Sequence, residues 1–187
     1  RLNRELRFGA VILATTAVVA GSFAGASAQD ESAAPEECTP YTVGVTVYNM
    51  SSFITLGKMG LDAYAAANCI NIEWNSANDD VNTQISQMQQ LIGKQVDAII
   101  IVPVDASTLG PQVQQANDAG IPVIAYDGLI EDPKTLYITF DNVEVGRMQA
   151  RAILKTVPKG NYVFIKGDKG DANADFLRAG QNEVLAA

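Results

Sequence analysis

The chain has 187 residues, a net charge of −8 and no His. An acidic balance argues against nucleic acid and anionic membrane surfaces as partners. The lack of His removes the commonest general base and the commonest transition-metal ligand.

The opening "RLNRELRFG" is basic, "AVILATTAVVAGSFAGA" is apolar, and "ASAQD" supplies an A-x-A end. This is the pattern of a secretory signal peptide, with cleavage expected after Ala28 and no retained anchor. Taking away its three Arg and one Glu moves the net charge from −8 to −10. Residues 29–40, "QDESAAPEECTP", are small, acidic and Pro-containing, and are expected to form a disordered lead-in.

Regular alternation follows. "YTVGVTVY" (41–48) is expected to be a strand, and 53–68 a helix with Phe53, Leu56, Leu61 and Tyr64 among its apolar positions. "INIEW" (70–74) is a second strand. Helix 81–94 carries Val81, Ile85, Met88, Leu91 and Ile92 on one face, with "NDD" (78–80) supplying its N-cap. "VDAIIIVPV" (96–104) is nearly all apolar, as a central strand covered on both faces requires. A short helix at 110–120 has Pro111 early and Gly120 as its stop. Strands at 121–127 and 136–142, a helix at 143–157, a sixth strand at 161–167 and a final helix complete the series.

Strands alternating with helices predict an α/β fold, an open doubly wound parallel sheet. Five strands complete one lobe, expected over 41–141. Residues 142–187 then begin a second, similar lobe. Cys38 and Cys69 are the only cysteines, and each precedes a strand. If those strands are parallel neighbours, their starts lie within disulfide reach. A structural disulfide is favoured over two buried thiols.

Ligands of such sheets bind beyond the carboxyl ends of the strands. The residues there are Asn49, Ser51, Ser52 and Phe53; Tyr126, Asp127 and Gly128; Asp141 and Asn142; and Lys166, Asp168, Asp171 and Asn173. Carboxylates and amides accept hydrogen bonds from hydroxyls, and an aromatic ring covers the apolar face of a pyranose. The set suits a neutral polyol or sugar. Asp127 and Asp141 have the alternative role of capping helices or closing turns.

Other chemistries find no pattern. "VYNMSSF" lacks the glycines of a dinucleotide site, and there is no P-loop. "DANAD" (171–175) begins like a calcium loop, but its sixth position is Phe176 and its twelfth Asn182. No cofactor, metal or enzymatic activity is expected.

"VDAIIIVPVDASTLGPQVQQANDAGIPVIAYDGLI", "YITFDNVEVGRMQA" and "GDANADFLRAGQ" together resemble the periplasmic sugar-binding proteins of bacterial ABC transporters, nearest the xylose-binding branch. The resemblance covers 41–187. It implies two α/β lobes joined by a hinge near Asp141–Asn142, with a monosaccharide clasped between them. It also implies delivery to an ABC permease, with a chemoreceptor as a second candidate partner. The implied protein is a periplasmic or secreted monomer, not inserted in the membrane. The family's sugar ligands fall on Asp127, Asp171 and Asn173, with Phe53 at the aromatic position and Ser51 beside it. Asn49 and Asn142 complete the expected sugar-binding set. The family usually has Arg directly after the strand-four Asp; here the residue is Gly128. That departure, and the unlike first-helix segment "NMSSFITLGKMG", leave a different polyol or a furanoside as the alternative ligand.

Overall fold

A computed structural model describes residues 40–186. They form a parallel five-stranded sheet in the order β2-β1-β3-β4-β5. The strands are β1 (Tyr41–Val47), β2 (Ile70–Ser76), β3 (Ala98–Val102), β4 (Val123–Tyr126) and β5 (Leu136–Ile138). The helices are α1 (Ser52–Ala67), α2 (Val81–Gly93), α3 (Gly110–Asp118), α4 (Asn142–Thr156) and α5 (Ala172–Leu185). The expected doubly wound α/β architecture is therefore present.

β3 lies at the centre, between β1 and β4, with Val45 opposite Ile100 and Ile100 opposite Ile124. Its Ile99 and Ile101 are fully buried. They pack with Met88 and Leu91 of α2 and Val113 and Ala116 of α3. Val45, Val47 and Val102 pack instead with Ile54 of α1 and, at the margin, Phe53, Trp74 and Tyr126. Each large side chain removed from water in this way contributes about 1.5–3 kcal/mol before conformational entropy is set against it.

The helix starts follow side-chain chemistry. Ser51, Asp80, Asp141 and Asp171 each accept a backbone N–H of the first turn of α1, α2, α4 and α5. The expected cap from "NDD" is thus Asp80, whose carboxylate receives the Thr83 N–H at 2.6 Å.

Gln84 is a polar residue on the buried face of α2. Its amide Nε2 donates to the Val102 carbonyl at 3.0 Å, and its Oε1 accepts the Val104 N–H at 2.7 Å. Between them lies Pro103, which has no N–H to offer a neighbouring strand. The side-chain amide supplies what the ladder cannot, and it fixes the chain just beyond β3.

One expectation is corrected. Residues 161–167, expected as a sixth strand, are not a strand, and Val163 and Ile165 are 90% and 98% exposed. A parallel strand needs a neighbour for its N–H and C=O groups, and none lies alongside among the described residues. In α1 only Ile54 and Ala65 are buried, while Leu56 and Tyr64 face outward.

α4 and α5 cross at very close range. A Cβ added to Gly146 would meet the Leu177 carbonyl oxygen at 2.1 Å, and one added to Gly180 would meet that of Val143 at 1.9 Å. Arg147 is held against Glu183 at 2.7 Å and Gln181 against Gln149 at 2.7 Å across the same contact.

Candidate functional site

Strand order reverses between β1 and β3, and a parallel sheet opens a crevice beyond its carboxyl ends at that point. Three residues there hold left-handed backbone conformations despite having side chains, Asn78 at φ +51°, Asp79 at φ +62° and Asp127 at φ +66°. Asp and Asn tolerate this region better than other residues, yet it is uncommon and clusters at functional positions. Asp79 is tied down by its N–H to the Tyr48 carbonyl at 2.7 Å. The Asn49 amide reaches both of its carboxylate oxygens, at 2.8 and 2.9 Å.

Asp127 is held more heavily. Its N–H donates to the Ile138 carbonyl at 2.8 Å. Its own carbonyl accepts from the Tyr137 hydroxyl at 3.1 Å, the Thr139 hydroxyl at 3.2 Å and the Asn173 amide at 3.1 Å. The Asn173 amide also reaches the Asp127 carboxylate at 3.4 Å, while Asn173 Oδ1 accepts from Asn142 at 2.9 Å. Asn173 thus joins the end of β4 to the start of α4 and α5.

The loop before α5 folds on its own carboxylates. Asp168 Oδ1 accepts the Gly170 N–H at 2.7 Å, and Asp171 Oδ1 accepts the Asn173 N–H at 2.9 Å. The second oxygen of each carboxylate has no protein partner among the described residues. Gly170 lets the loop pass close to the turn after β3: a Cβ there would sit 3.3 Å from the Asp105 carboxyl carbon.

These segments enclose a cavity of about 520 Å³, lined by Tyr48, Asp79, Asp105, Asp127, Asp168 and Asp171, with Pro103 and Gly128 among its apolar and backbone surfaces. Among the described residues, none that lines it is Lys or Arg. Burial raises the Asp127 carboxyl above its ordinary value, and the Asp171 charge pushes the same way; the Asn173 hydrogen bond opposes them. Burial likewise raises the Tyr137 phenol. The wall accepts hydrogen bonds at many points and repels anions. Among the described residues, no group of three or more His, Cys, Asp or Glu is arranged to hold a metal ion, and no helix is long and apolar enough to cross a membrane.

Of the residues expected to bind sugar, Asp127 and Asp171 line the cavity. Asn49, Ser51 and Asn173 stand one step behind it, bonded to the liners Asp79, Tyr48 and Asp127. Asn142 stands behind Asn173 and also donates to the Thr139 hydroxyl at 3.1 Å. Phe53 is stacked on Tyr126, ring centroids 6.3 Å apart, in the packing beneath α1. Tyr48, Asp79 and Asp105 line the cavity without having been expected to. Tyr48 directly follows β1, and Asp105 stands three residues beyond β3, so both positions carried the strand-end signal. Cys69 precedes β2, and its carbonyl accepts the Tyr41 N–H at 3.2 Å; Cys38 lies outside the described residues.

Residues 43–187 match the model of the periplasmic binding protein domain. The chain is 46% identical over 146 residues to a xylitol-binding protein of Mycolicibacterium smegmatis, covering 77% of this chain and 42% of that one. It is 43% identical over 111 residues to the D-xylose-binding periplasmic protein of Escherichia coli, covering 59% and 34%. Among solved structures, a solute-binding protein of an ABC transporter from Clostridium phytofermentans with bound β-D-glucose superposes with a TM-score of 0.70 at 29% identity, covering 78% of this chain and 48% of that one. One from Mycobacterium smegmatis with bound glycerol gives 0.74 at 26%, covering 80% and 53%. The chain spans less than half the length of these curated relatives. The relatives are solute-binding proteins, not enzymes. With a family match over most of its length, this chain belongs to the periplasmic binding protein domain family.

Proposed function

We propose that this chain is the ligand-capturing part of an exported solute-binding protein that takes up a neutral, polyhydroxylated molecule of pentose size and hands it to an ABC permease. The observation that carries this reading is the cavity beyond β1, β3 and β4, walled by five Asp and Tyr48. Hydroxyl groups donate to such carboxylates through charge-assisted bonds, while the same charges turn phosphorylated or acidic sugars away. The relatives named for xylitol and D-xylose support the ligand size.

In this reading residues 1–28 are a signal peptide, 41–141 one lobe and 142–187 the start of another. Asp127 serves from the first lobe and Asp171 from the second, so ligand selects the closed state from an open ensemble. The mature protein is a periplasmic or secreted monomer. Calorimetric titration of the full chain with pentoses, hexoses and pentitols should give one-to-one binding to a pentose-sized member and none to a sugar phosphate. Silence across all the neutral compounds would end this reading.

A disulfide between Cys38 and Cys69 belongs to the same proposal. The Tyr41–Cys69 backbone bond supports it by bringing the starts of β1 and β2 side by side. Peptide mapping without reductant should return the two cysteines joined. Alkylation of both in the unreduced secreted protein would disprove the bridge.

A further inference from the structure

We propose that the Tyr137 hydroxyl is a positioning group for ligand capture: it aims the Asp127 carboxylate by holding that residue's backbone carbonyl, an inference that rests on the sugar-capture reading above. Tyr137 sits in β5 opposite Ala125 of β4, and its ring packs against the core that β3 shares with α2 and α3. A ring held by both sheet and core leaves its hydroxyl little freedom. That hydroxyl donates to the Asp127 carbonyl at 3.1 Å and lies 3.4 Å from Asn173 Oδ1. Burial, with the Asp127 and Asp171 charges behind it, raises the phenol, so the hydroxyl keeps its proton and remains a donor.

Asp127 depends on such a hold. Its φ of +66° lies in the left-handed region, where a residue with a side chain stays only when its surroundings keep it there. Its N–H is fixed on the Ile138 carbonyl at 2.8 Å. The next residue is fixed as well. Gly128 packs so closely on Pro103 that an added Cβ would lie 2.5 Å from the ring Cγ, which leaves no room for any side chain at position 128. The peptide unit between Asp127 and Gly128 is the part still able to turn, and its carbonyl is the atom that Tyr137 holds. Thr139 and Asn173 donate to the same oxygen, at 3.2 and 3.1 Å. The Asp127 carboxylate hangs from the Cα beside this peptide and lines the cavity. A binding group must be held within about 0.5 Å of its productive place, so rotation of the peptide misdirects the carboxylate.

The full chain should be titrated calorimetrically with D-xylose, D-ribose, L-arabinose and xylitol, and the tightest binder kept as the probe for the variants. Tyr137→Phe leaves the ring in the core and removes only the hydroxyl. It should weaken the probe about fivefold, the net contribution of one hydrogen bond, in protein that urea denaturation shows to be folded. A loss of stability alone does not change the affinity of a folded population. Thr139→Val removes another donor to the same carbonyl and should cause a loss of the same order. In an Asp127→Gly background no carboxylate remains to be aimed and the turn is free of strain, so Tyr137→Phe should there change nothing. Tyr137→Phe within about twofold of wild type overturns the inference. So does a silent Thr139→Val beside a damaging Tyr137→Phe, or an equal loss in the Asp127→Gly background, because the hydroxyl would then act by another route. Each of these failures leaves the capture reading standing. A wild type that binds none of the four compounds overturns the capture reading and this inference together.

Discussion

Gly180→Ala should separate α4 from α5 and cost about 3 kcal/mol of stability, the upper end of what overpacking usually does. The added methyl would lie 1.9 Å from the backbone carbonyl oxygen of Val143, against an ordinary contact of roughly 3.4–4 Å. A backbone atom cannot turn aside as a side chain can, so one helix must move by more than an ångström. Gly146 occupies the reciprocal position, 2.1 Å from the Leu177 oxygen, and Gly146→Ala should behave alike. The shift would also strain the Arg147–Glu183 pair and the Asn142–Asn173 bond, and through Asn173 the anchoring of Asp127. Ligand affinity should therefore fall with stability. Gly57→Ala is the control: nothing lies within 4 Å of its added methyl, and helix propensity alone predicts a gain of up to about 1 kcal/mol. Urea denaturation of the three variants decides the matter. If Gly180→Ala unfolds at the wild-type midpoint, the close crossing is not present in solution.

Asp127→Asn is expected to weaken binding of the preferred ligand by about 10- to 100-fold. A hydrogen bond to a charged acceptor contributes roughly 1.5–3 kcal/mol, and each 1.4 kcal/mol is a factor of ten in affinity. The same change should not destabilise the empty protein at neutral pH. Burial and the neighbouring Asp171 charge raise the Asp127 carboxyl in the folded chain, so the native state holds this proton more firmly than the unfolded one does. Stability from this group is therefore present at low pH and is lost as pH rises from the ordinary value of 3.8 through the raised folded value. The carboxylate opposes folding at pH 7, and the amide removes that opposition while still accepting from Asn173. Thermal melts of the empty protein should accordingly show Asp127→Asn at or above wild type at pH 7, with a smaller decline from acid to neutral pH. Sugar affinity of the wild type should drop on acidification through the same interval, as the acceptor is protonated. Unchanged affinity in Asp127→Asn would remove Asp127 from the ligand set.

Of the residues that the strand-end rule selected for sugar, Asp127 and Asp171 line the cavity at the rim of the sheet. The other polar residues of the set have protein partners nearer at hand. Asn49, Ser51, Asn142 and Asn173 are short side chains at turns and helix starts, the very places where local hydrogen bonding competes for them. Ser51 caps α1, and Asn173 spans from β4 to α5. Asp171 does both things at once, capping α5 with one oxygen and lining the cavity.

The fold class, the central position of β3 and the cap of α2 by Asp80 were all legible in the amino-acid sequence, because each depends on periodicity or on contacts a few residues apart. Family membership was legible for the same reason, in motifs that run continuously through the chain. What tertiary structure alone decided depends on contacts between residues distant in sequence. The left-handed turn at Asp127 is held by Ile138, Tyr137, Thr139 and Asn173. The crossing of α4 and α5 needs two glycines 34 positions apart to meet opposing backbones. The exclusion of any side chain at position 128 comes from Pro103, itself held by Gln84. Linear pattern carries the repeating chemistry of strands and helices, but the facing of a side chain in a loop is set by whatever the fold brings alongside it.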